Sequence, residues 1–337
     1  VNPMKYNGIN KNSIPDIVVY ITGLPLAIIE AKSPHVSITY AISDLAYYQE
    51  NSQKLFYYNQ ICVGINKGKA LYGTIGSQFE HYSKYKLEDL TELESLVERT
   101  ATAQDILIYS LFKKEMLLDI IRNFTIFEID QGRTIKKLPR YQQLRAVNKI
   151  VKRLKTENKG GVVWHTQGSG KSITMVYLAT KLRREEAGFD NPTIIVVTDR
   201  IDLDNQISST FRRTGFSNPI QAVSISNLKE LLKDSYGKTL MTTIHKFQER
   251  AEEQKEEIEI LSDKSNVFVL IDEAHRSQYG MTAAYMRNSL PNAKFIAFTG
   301  TPIDKEQKST LKTFYGGSDY IDKYTIKQSV EDGNTLA

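Results

Sequence analysis

The sequence predicts an α/β protein in which two chemically distinct blocks are joined by a helical stretch. Three observations carry that expectation. From residue 135 onward, apolar runs alternate with helical patterns, which implies a parallel sheet with helices on both faces. One of those runs, residues 161–164, leads through Gly168-Ser169-Gly170-Lys171-Ser172 into a helical pattern, so a glycine-rich turn links strand to helix. Near the other end, two apolar runs flank Thr22-Gly23-Leu24-Pro25 and bring Asp16 and Glu30 into one hairpin.

The first block, residues 1–84, opens with that hairpin, residues 17–21 against 26–29. A helix over 42–53 follows, then strands over 60–65 and 69–75 across the turn Asn66-Lys67-Gly68. Residues 85–134 read as a helical connector: Leu87, Leu90, Leu93, Leu96 and Val97 keep three-to-four spacing, and 106–121 is densely apolar between charges. In the third block, residues 135–337, strands are expected at 161–164, 193–197, 240–243, 267–271 and 295–299. Ligands of such a sheet bind at the carboxyl ends of its strands, where the glycine-rich turn falls.

Composition bounds the chemistry. The 337 residues are 41% hydrophobic and 25% charged, ordinary for a globular protein with room for two or three cores. The single cysteine, Cys62, lies in an apolar run, which excludes an internal disulfide and a cysteine-based zinc site. No run of about 18 apolar residues and no signal peptide is present, so a cytoplasmic protein without a membrane partner is expected. The net charge of +5 is mild, but residues 131–160 hold ten Lys or Arg against Glu157 alone. A solvated helix face or a nearby polyanion explains that run equally well.

The glycine-rich turn is a phosphate cradle. Its glycines let backbone N–H groups turn inward, and the new helix points its positive end at the anion. Thr166, Gln167, Gly168, Ser169 and Gly170 form the loop, Lys171 reaches the β- and γ-phosphates of ATP, and the Ser172 hydroxyl holds Mg2+. His165 stands at a position usually filled by glycine or alanine. About 100 residues later the apolar run 267–271 delivers Asp272-Glu273-Ala274-His275. Asp272 suits the Mg2+ and Glu273 suits the attacking water.

Together these residues resemble the DEAH-box motors of helicase superfamily 2, and further motifs of that family follow in order. Arg140-Tyr141-Gln142 is similar to the adenine-reading glutamine motif. Thr198-Asp199-Arg200 and Thr242-Thr243-Ile244-His245-Lys246-Phe247 resemble the motifs that touch the DNA backbone. Thr299-Gly300-Thr301-Pro302 resembles the motif that couples hydrolysis to DNA contact. The resemblance implies a RecA-like domain. It also implies a second such domain, for which the residues up to Ala337 leave no room, so a fragment that binds ATP and turns it over poorly is expected.

The first block has the order of a PD-(D/E)xK nuclease: Pro15-Asp16, then Glu30-Ala31-Lys32 fourteen residues on. A hairpin centred on Gly23 pairs positions summing to 46, so Asp16 faces Glu30, and strand period two puts Glu30 and Lys32 on one face. Asp16 and Glu30 are then the Mg2+ ligands, with the Ala31 carbonyl as a further one. Lys32 positions or activates water and neutralises charge on the phosphate. A cross-strand salt bridge on a surface strand would give the same spacing. On the following helix, Asp44 and Tyr48 occupy the place of a Gln-x-x-x-Tyr motif, with Asp44 replacing glutamine.

Nuclease, connector and motor in this order resemble the R subunit of type I restriction-modification enzymes. Trp164-His165-Thr166 before the loop and Tyr320-Ile321-Asp322-Lys323-Tyr324 near the end add to the likeness. The resemblance implies ATP-driven translocation of double-stranded DNA, Mg2+-dependent cleavage, and methyltransferase (M) and specificity (S) partner subunits. It also implies nuclease elements ahead of Val1. A nuclease–helicase of a type III restriction or repair system, or a non-catalytic DNA-binding or assembly module, are the alternatives.

Overall fold

A computed structural model describes residues 4–6, 9–130, 132–199, 201–214, 219–233, 236–253, 258–272, 279–301 and 319–335. The chain is mixed α/β and divides into two compact units, Val1–Tyr141 and Gln142–Ala337. No helix among the described residues is long and apolar enough to cross a membrane.

The first unit begins with the antiparallel pair β1 (Met4–Tyr6) and β2 (Ile9–Ser13). Its main sheet has the order β3 (Ile17–Ile21), β4 (Leu24–Ala31), β5 (Ile61–Ile65), β6 (Ala70–Gly73). The outer pairs are antiparallel and β4–β5 is parallel. A parallel pair needs a crossover, here helix α1 (Ile38–Asn51), which is capped by the Ser37 side chain accepting from Thr39 N–H, followed by α2 (Gln53–Phe56). Helix α1 starts four residues earlier than the sequence suggested, where that cap ends the extended segment.

The hairpin differs from expectation in its turn. Thr22 and Gly23 alone form it, both with positive φ, and Ile21 pairs with Leu24. An irregularity between Val19 and Tyr20 then shifts the register by one, so Val19 faces Ala27 and Ile17 faces Ile29. The sum of 46 therefore holds at the Asp16 end because a bulge compensates the tighter turn. Ile28, Ile42, Leu45, Tyr48, Leu55, Phe56, Cys62 and Tyr82 form the core beneath α1. Cys62 is fully buried and burial pushes its thiol up to about 12, as suits a core residue.

The stretch expected as a helical connector contains three short helices, α3 (Thr91–Val97), α4 (Ala103–Phe112) and α5 (Lys114–Asp119), closed by a π-helical turn at Ile120–Phe124. A capping box between Thr102 and Asp105 starts α4. An antiparallel hairpin, β7 (Ile126–Asp130) and β8 (Arg133–Lys137), follows where the pattern suggested helix.

Among the described residues the second unit is built on a seven-stranded sheet whose strand pairings are all parallel. Helix α6 (Tyr141–Glu157) leads into β9 (Gly161–His165), and α7 (Lys171–Leu182) follows. Then come β10 (Thr193–Thr198), α8 (Ile201–Arg213), β11 (Ile220–Gln221), α9 (Ile225–Lys233), β12 (Thr239–Thr243) and α10 (Ile244–Glu253). The last are β13 (Val267–Asp272), α11 (Tyr279–Ser289), β14 (Lys294–Thr299), β15 (Asp322–Tyr324) and α12 (Ile326–Glu331). The spatial order is β11-β12-β10-β13-β14-β9-β15. Runs such as Thr-Ile-Ile-Val-Val-Thr in β10 are buried throughout, as strands covered on both faces must be. Strand β15 arises from the Tyr-Ile-Asp-Lys-Tyr segment, which had no strand assigned to it.

Candidate functional sites

In the first unit, Ile28 points into the core under α1, so Glu30, two residues on, lies on the same face. Glu30 is only 3% exposed. Lys32 extends the same row, and its Nζ lies 2.7 Å from Glu30 Oε1 and 2.5 Å from Asp44 Oδ2. Tyr48, one helical turn after Asp44 on α1, donates to Glu30 Oε1 at 3.4 Å. Asp16 is exposed at the mouth and accepts the Ala31 N–H at 2.7 Å. The residues picked from sequence therefore converge, and Asp44 joins them as a partner of Lys32.

The electrostatics follow from this crowding. Burial raises the Glu30 carboxyl above its ordinary range; the Lys32 hydrogen bond opposes that and the Asp16 charge adds to it. Burial pulls the Lys32 ammonium down, but hydrogen bonds and charge from Asp44 and Glu30 outweigh it and the net shift is upward. Burial and the Glu30 and Asp44 charges push the Tyr48 hydroxyl up to about 12. Glu30 Oε2 is buried with no hydrogen-bond partner among the described residues, the state expected of a ligand oxygen awaiting a cation. No group of three or more His, Cys, Asp or Glu among the described residues is placed to hold a metal ion. Two carboxylates with water and phosphate oxygens nonetheless suit Mg2+, which keeps much of its shell.

In the second unit the motif residues line the carboxyl edge of the sheet. The loop 166–170 leaves β9, with Gly168 and Gly170 at φ 80° and 84°, and Gly170 caps α7. A side chain at Gly170 would meet both the left-handed backbone and Gln143 Nε2, 2.4 Å from where a Cβ would sit. Ser169 is buried, Lys171 nearly so, and Ser172 half-buried. Thr166 is buried, while Gln167 and Gly168 are exposed.

Asp272 ends β13, two strands from β9, and is buried. Between them β14 ends in Thr299, which is opposite Trp164. Gly300 follows directly against the loop: a Cβ there would lie 3.3 Å from Gln167 N and 3.4 Å from Lys171 Nζ. Trp164 Nε1 donates to the Gly300 carbonyl at 3.2 Å, and Thr301 N–H bonds Thr299 Oγ1. Strand order therefore wedges the Thr-Gly-Thr motif between the phosphate loop and Asp272.

At the remaining strand ends, Thr198 at the end of β10, Asp199 after it and Thr243 in β12 are buried, and Thr198 Oγ1 bonds the Thr242 carbonyl. His245 is exposed, whereas the Lys246 ammonium donates to the Ala222 carbonyl at 2.5 Å. Glu273 and Arg200 lie outside the described residues, as do Ala274, His275 and Pro302.

Of the glutamine motif, Arg140 and Tyr141 belong to the first unit and Gln142 to the second. Gln142 is 0% exposed, and neither atom of its amide has a partner among the described residues. The next residue, Gln143, makes long contacts of 3.4 Å to the Ser169 and Gly170 carbonyls. Gln143, Trp164 and Asp322 bond to motif residues, contacts that the sequence reading did not assign to them. Asp322 carried one signal, a single acid inside an apolar and aromatic run.

The fold and the two sites define a phosphate-loop α/β domain preceded by a mixed-sheet domain carrying an Asp, Glu-x-Lys cluster. Residues 142–337 match the family model for SWI2/SNF2 ATPase, and residues 1–81 match the Type I restriction enzyme R protein N terminus. The chain belongs to the SWI2/SNF2 ATPase family, joined here to the N-terminal domain of type I restriction R proteins. It is 38% identical to the type I restriction enzyme HindI endonuclease subunit of Haemophilus influenzae over 349 residues, 96% of this chain and 32% of that one. A Methanocaldococcus jannaschii protein provisionally named type I restriction enzyme MjaIXP endonuclease subunit is 34% identical over 95% of this chain and 32% of its own length. The chain thus spans 32% of the length of each of these relatives. Among solved structures, the Sulfolobus solfataricus SWI2/SNF2 ATPase core in complex with double-stranded DNA is similar at TM-score 0.37 and 16% identity, over 52% of this chain and 35% of that chain.

Proposed function

We propose that the chain is the nuclease and first motor portion of a type I restriction R subunit, hydrolysing ATP to move double-stranded DNA and cutting it with Mg2+. The observation that carries the reading is the pairing, in one chain, of an R-protein N terminus holding Asp16, Glu30 and Lys32 with an ATPase domain holding the phosphate loop and Asp272.

In the motor, the N–H groups of residues 167–170 and the Lys171 ammonium would hold the phosphates, and Ser172 and Asp272 would hold the Mg2+ that accompanies ATP. Gln142 offers the donor and acceptor that the adenine edge requires. Glu273 orients the attacking water, and Thr299, Gly300 and Thr301 relay the state of the phosphate site. Thr198, Asp199, Arg200, Thr243, His245 and Lys246 form the DNA track, of which His245 is exposed.

In the nuclease, Asp16 and Glu30 would hold Mg2+, which supplies charge neutralisation and a water nucleophile at neutral pH. Lys32, held in its charged form by two carboxylates, steadies the anionic phosphate and positions or activates the water. Asp44 fixes where that charge stands, and Tyr48 holds Glu30. The M and S subunits are the partners the family reading calls for.

Restriction by the assembled complex, with Lys171→Ala and Lys32→Ala subunits compared separately, tests the proposal. Lys171→Ala should lose translocation and cleavage together. Lys32→Ala should keep ATP hydrolysis and translocation but leave DNA uncut. Cleavage by Lys32→Ala at the wild-type rate would remove the nuclease reading, and translocation by Lys171→Ala would remove the motor reading.

A further inference from the structure

Beneath the phosphate loop lies a buried charged network that the motor reading does not use. The Asp322 carboxylate, 0% exposed, receives Arg145 through both arms of its fork, at 2.8 and 3.0 Å, and Lys149 at 3.0 Å. Its Oδ2 also meets His165 Nε2 at 2.8 Å, and His165 is the first residue of the loop motif. The Arg145 fork further donates to the Lys323 carbonyl at 2.8 Å.

Local structure explains the convergence. Strand β15 pairs with β9 in parallel, so Tyr324 stands beside His165 and Asp322 beside Val163. Arg145 and Lys149 are one turn apart on α6 and reach Asp322 from the same helix face. Backbone joins the two segments as well: Thr166 N–H donates to the Tyr324 carbonyl at 2.9 Å. The His165 and Tyr324 rings meet edge to face at 5.8 Å.

His165 is fully buried, and burial pulls its imidazole below the ordinary value despite the Asp322 contact, so the ring is neutral. Burial alone would raise the Asp322 carboxyl; His165 and Arg145 outweigh it and keep it ionised. Nε2–H therefore donates to Asp322, which fixes tautomer and ring plane. Beyond β15 the chain folds back onto the same loop. Tyr324 donates to Asp332 and accepts from Asn334, and the Cβ direction of Gly168 faces Thr335 Oγ1 at 3.7 Å.

We infer that Asp322 is a positioning residue of the nucleotide site: through His165 and the Tyr324 backbone it holds the first turn of the phosphate loop in the geometry that receives ATP. A buried carboxylate shared by an arginine fork, a lysine and a histidine has one low-energy arrangement, and the loop's entry is part of it. The inference rests on the reading of residues 166–172 as an ATP loop.

The test measures the dissociation constant for Mg2+-ATP and the thermal midpoint independently, in the full chain, for Asp322→Asn, His165→Gln and the double variant. Each single change should weaken ATP by about tenfold, as loss of alignment does, and the double change should weaken it no further than the worse single one. Asp322→Glu should recover part of the loss. Should Asp322→Asn fail to fold, Arg145→Lys, which keeps one of the two fork contacts, should still weaken ATP by about threefold. Wild-type affinity in a folded Asp322→Asn or Arg145→Lys protein, or losses that multiply in the double variant, would overturn the inference. Absence of ATP binding by the wild-type chain, matched by Lys171→Ala, would instead reject the nucleotide reading beneath it.

Discussion

Asp44 on helix α1 holds the ammonium of Lys32 at 2.5 Å, so the cation of the Asp16, Glu30 and Lys32 cluster is shared between the end of the strand it follows and the helix that covers it. The glutamine of the related motif could accept a hydrogen bond here, but it could not neutralise charge. An exposed ion pair contributes little stability, and the Asp44 side chain is 42% exposed. Its effect is therefore expected in position and charge more than in folding.

Replacing Asp44 by Asn should accordingly slow Mg2+-dependent nicking of supercoiled plasmid by about tenfold, with the thermal midpoint almost unchanged. Lys32→Ala should abolish nicking. An Asp44→Asn protein that nicks at the wild-type rate would show that Glu30 alone places Lys32.

Glu30 carries a linkage prediction. Its folded carboxyl is raised above the unfolded value of 4.5, so the native state binds more protons in the window just above that value. Stability of the first unit should thus fall as pH rises through the window, and Glu30→Gln should remove that slope and raise the thermal midpoint at neutral pH. Cleavage should be lost in the same variant. Midpoints measured from pH 4 to 8 decide it; a slope that survives in Glu30→Gln would place its origin elsewhere.

The orphaned amide of Gln142 makes opposite predictions for stability and recognition. A buried unsatisfied polar group costs about 1–3 kcal/mol, so Gln142→Leu should unfold at a temperature no lower than wild type. The same change should erase the preference for ATP over GTP, which competition binding would read out directly. Retained preference would transfer adenine reading to another residue.

Gly300 packs its α-carbon against the loop, where a Cβ would stand 3.3 Å from the Gln167 backbone nitrogen. Gly300→Ala should shift the loop by a few tenths of an ångström and lower ATP hydrolysis by about tenfold. Unaltered hydrolysis would mean that the Thr-Gly-Thr segment yields instead.

Much of the candidate chemistry was legible before any fold was known. The strand, glycine turn and helix around Lys171 are contiguous, a short apolar run giving way to a helical pattern within a few residues. Glu30 and Lys32 share a face through strand period alone. The Asp16–Glu30 register was right at its far end because two departures cancelled, a tighter turn at Thr22-Gly23 and a bulge near Tyr20. The β7–β8 hairpin was not legible: Phe127, Ile129 and Ile135 are exposed, so no buried alternating face marked it as sheet.

The sequence by itself determined the α/β class, the position of the phosphate loop, and the acids and lysine of the cluster, because each depends on residues close along the chain. Only the tertiary structure decided that Asp322 joins His165 across 157 positions, that Asp44 meets Lys32, and that Gln143 lies against the loop. Those contacts depend on the order β14-β9-β15 and on how α1 lies over its sheet. Local propensity does not encode strand order: it follows from which buried faces and charges can be satisfied together, a property of the whole chain.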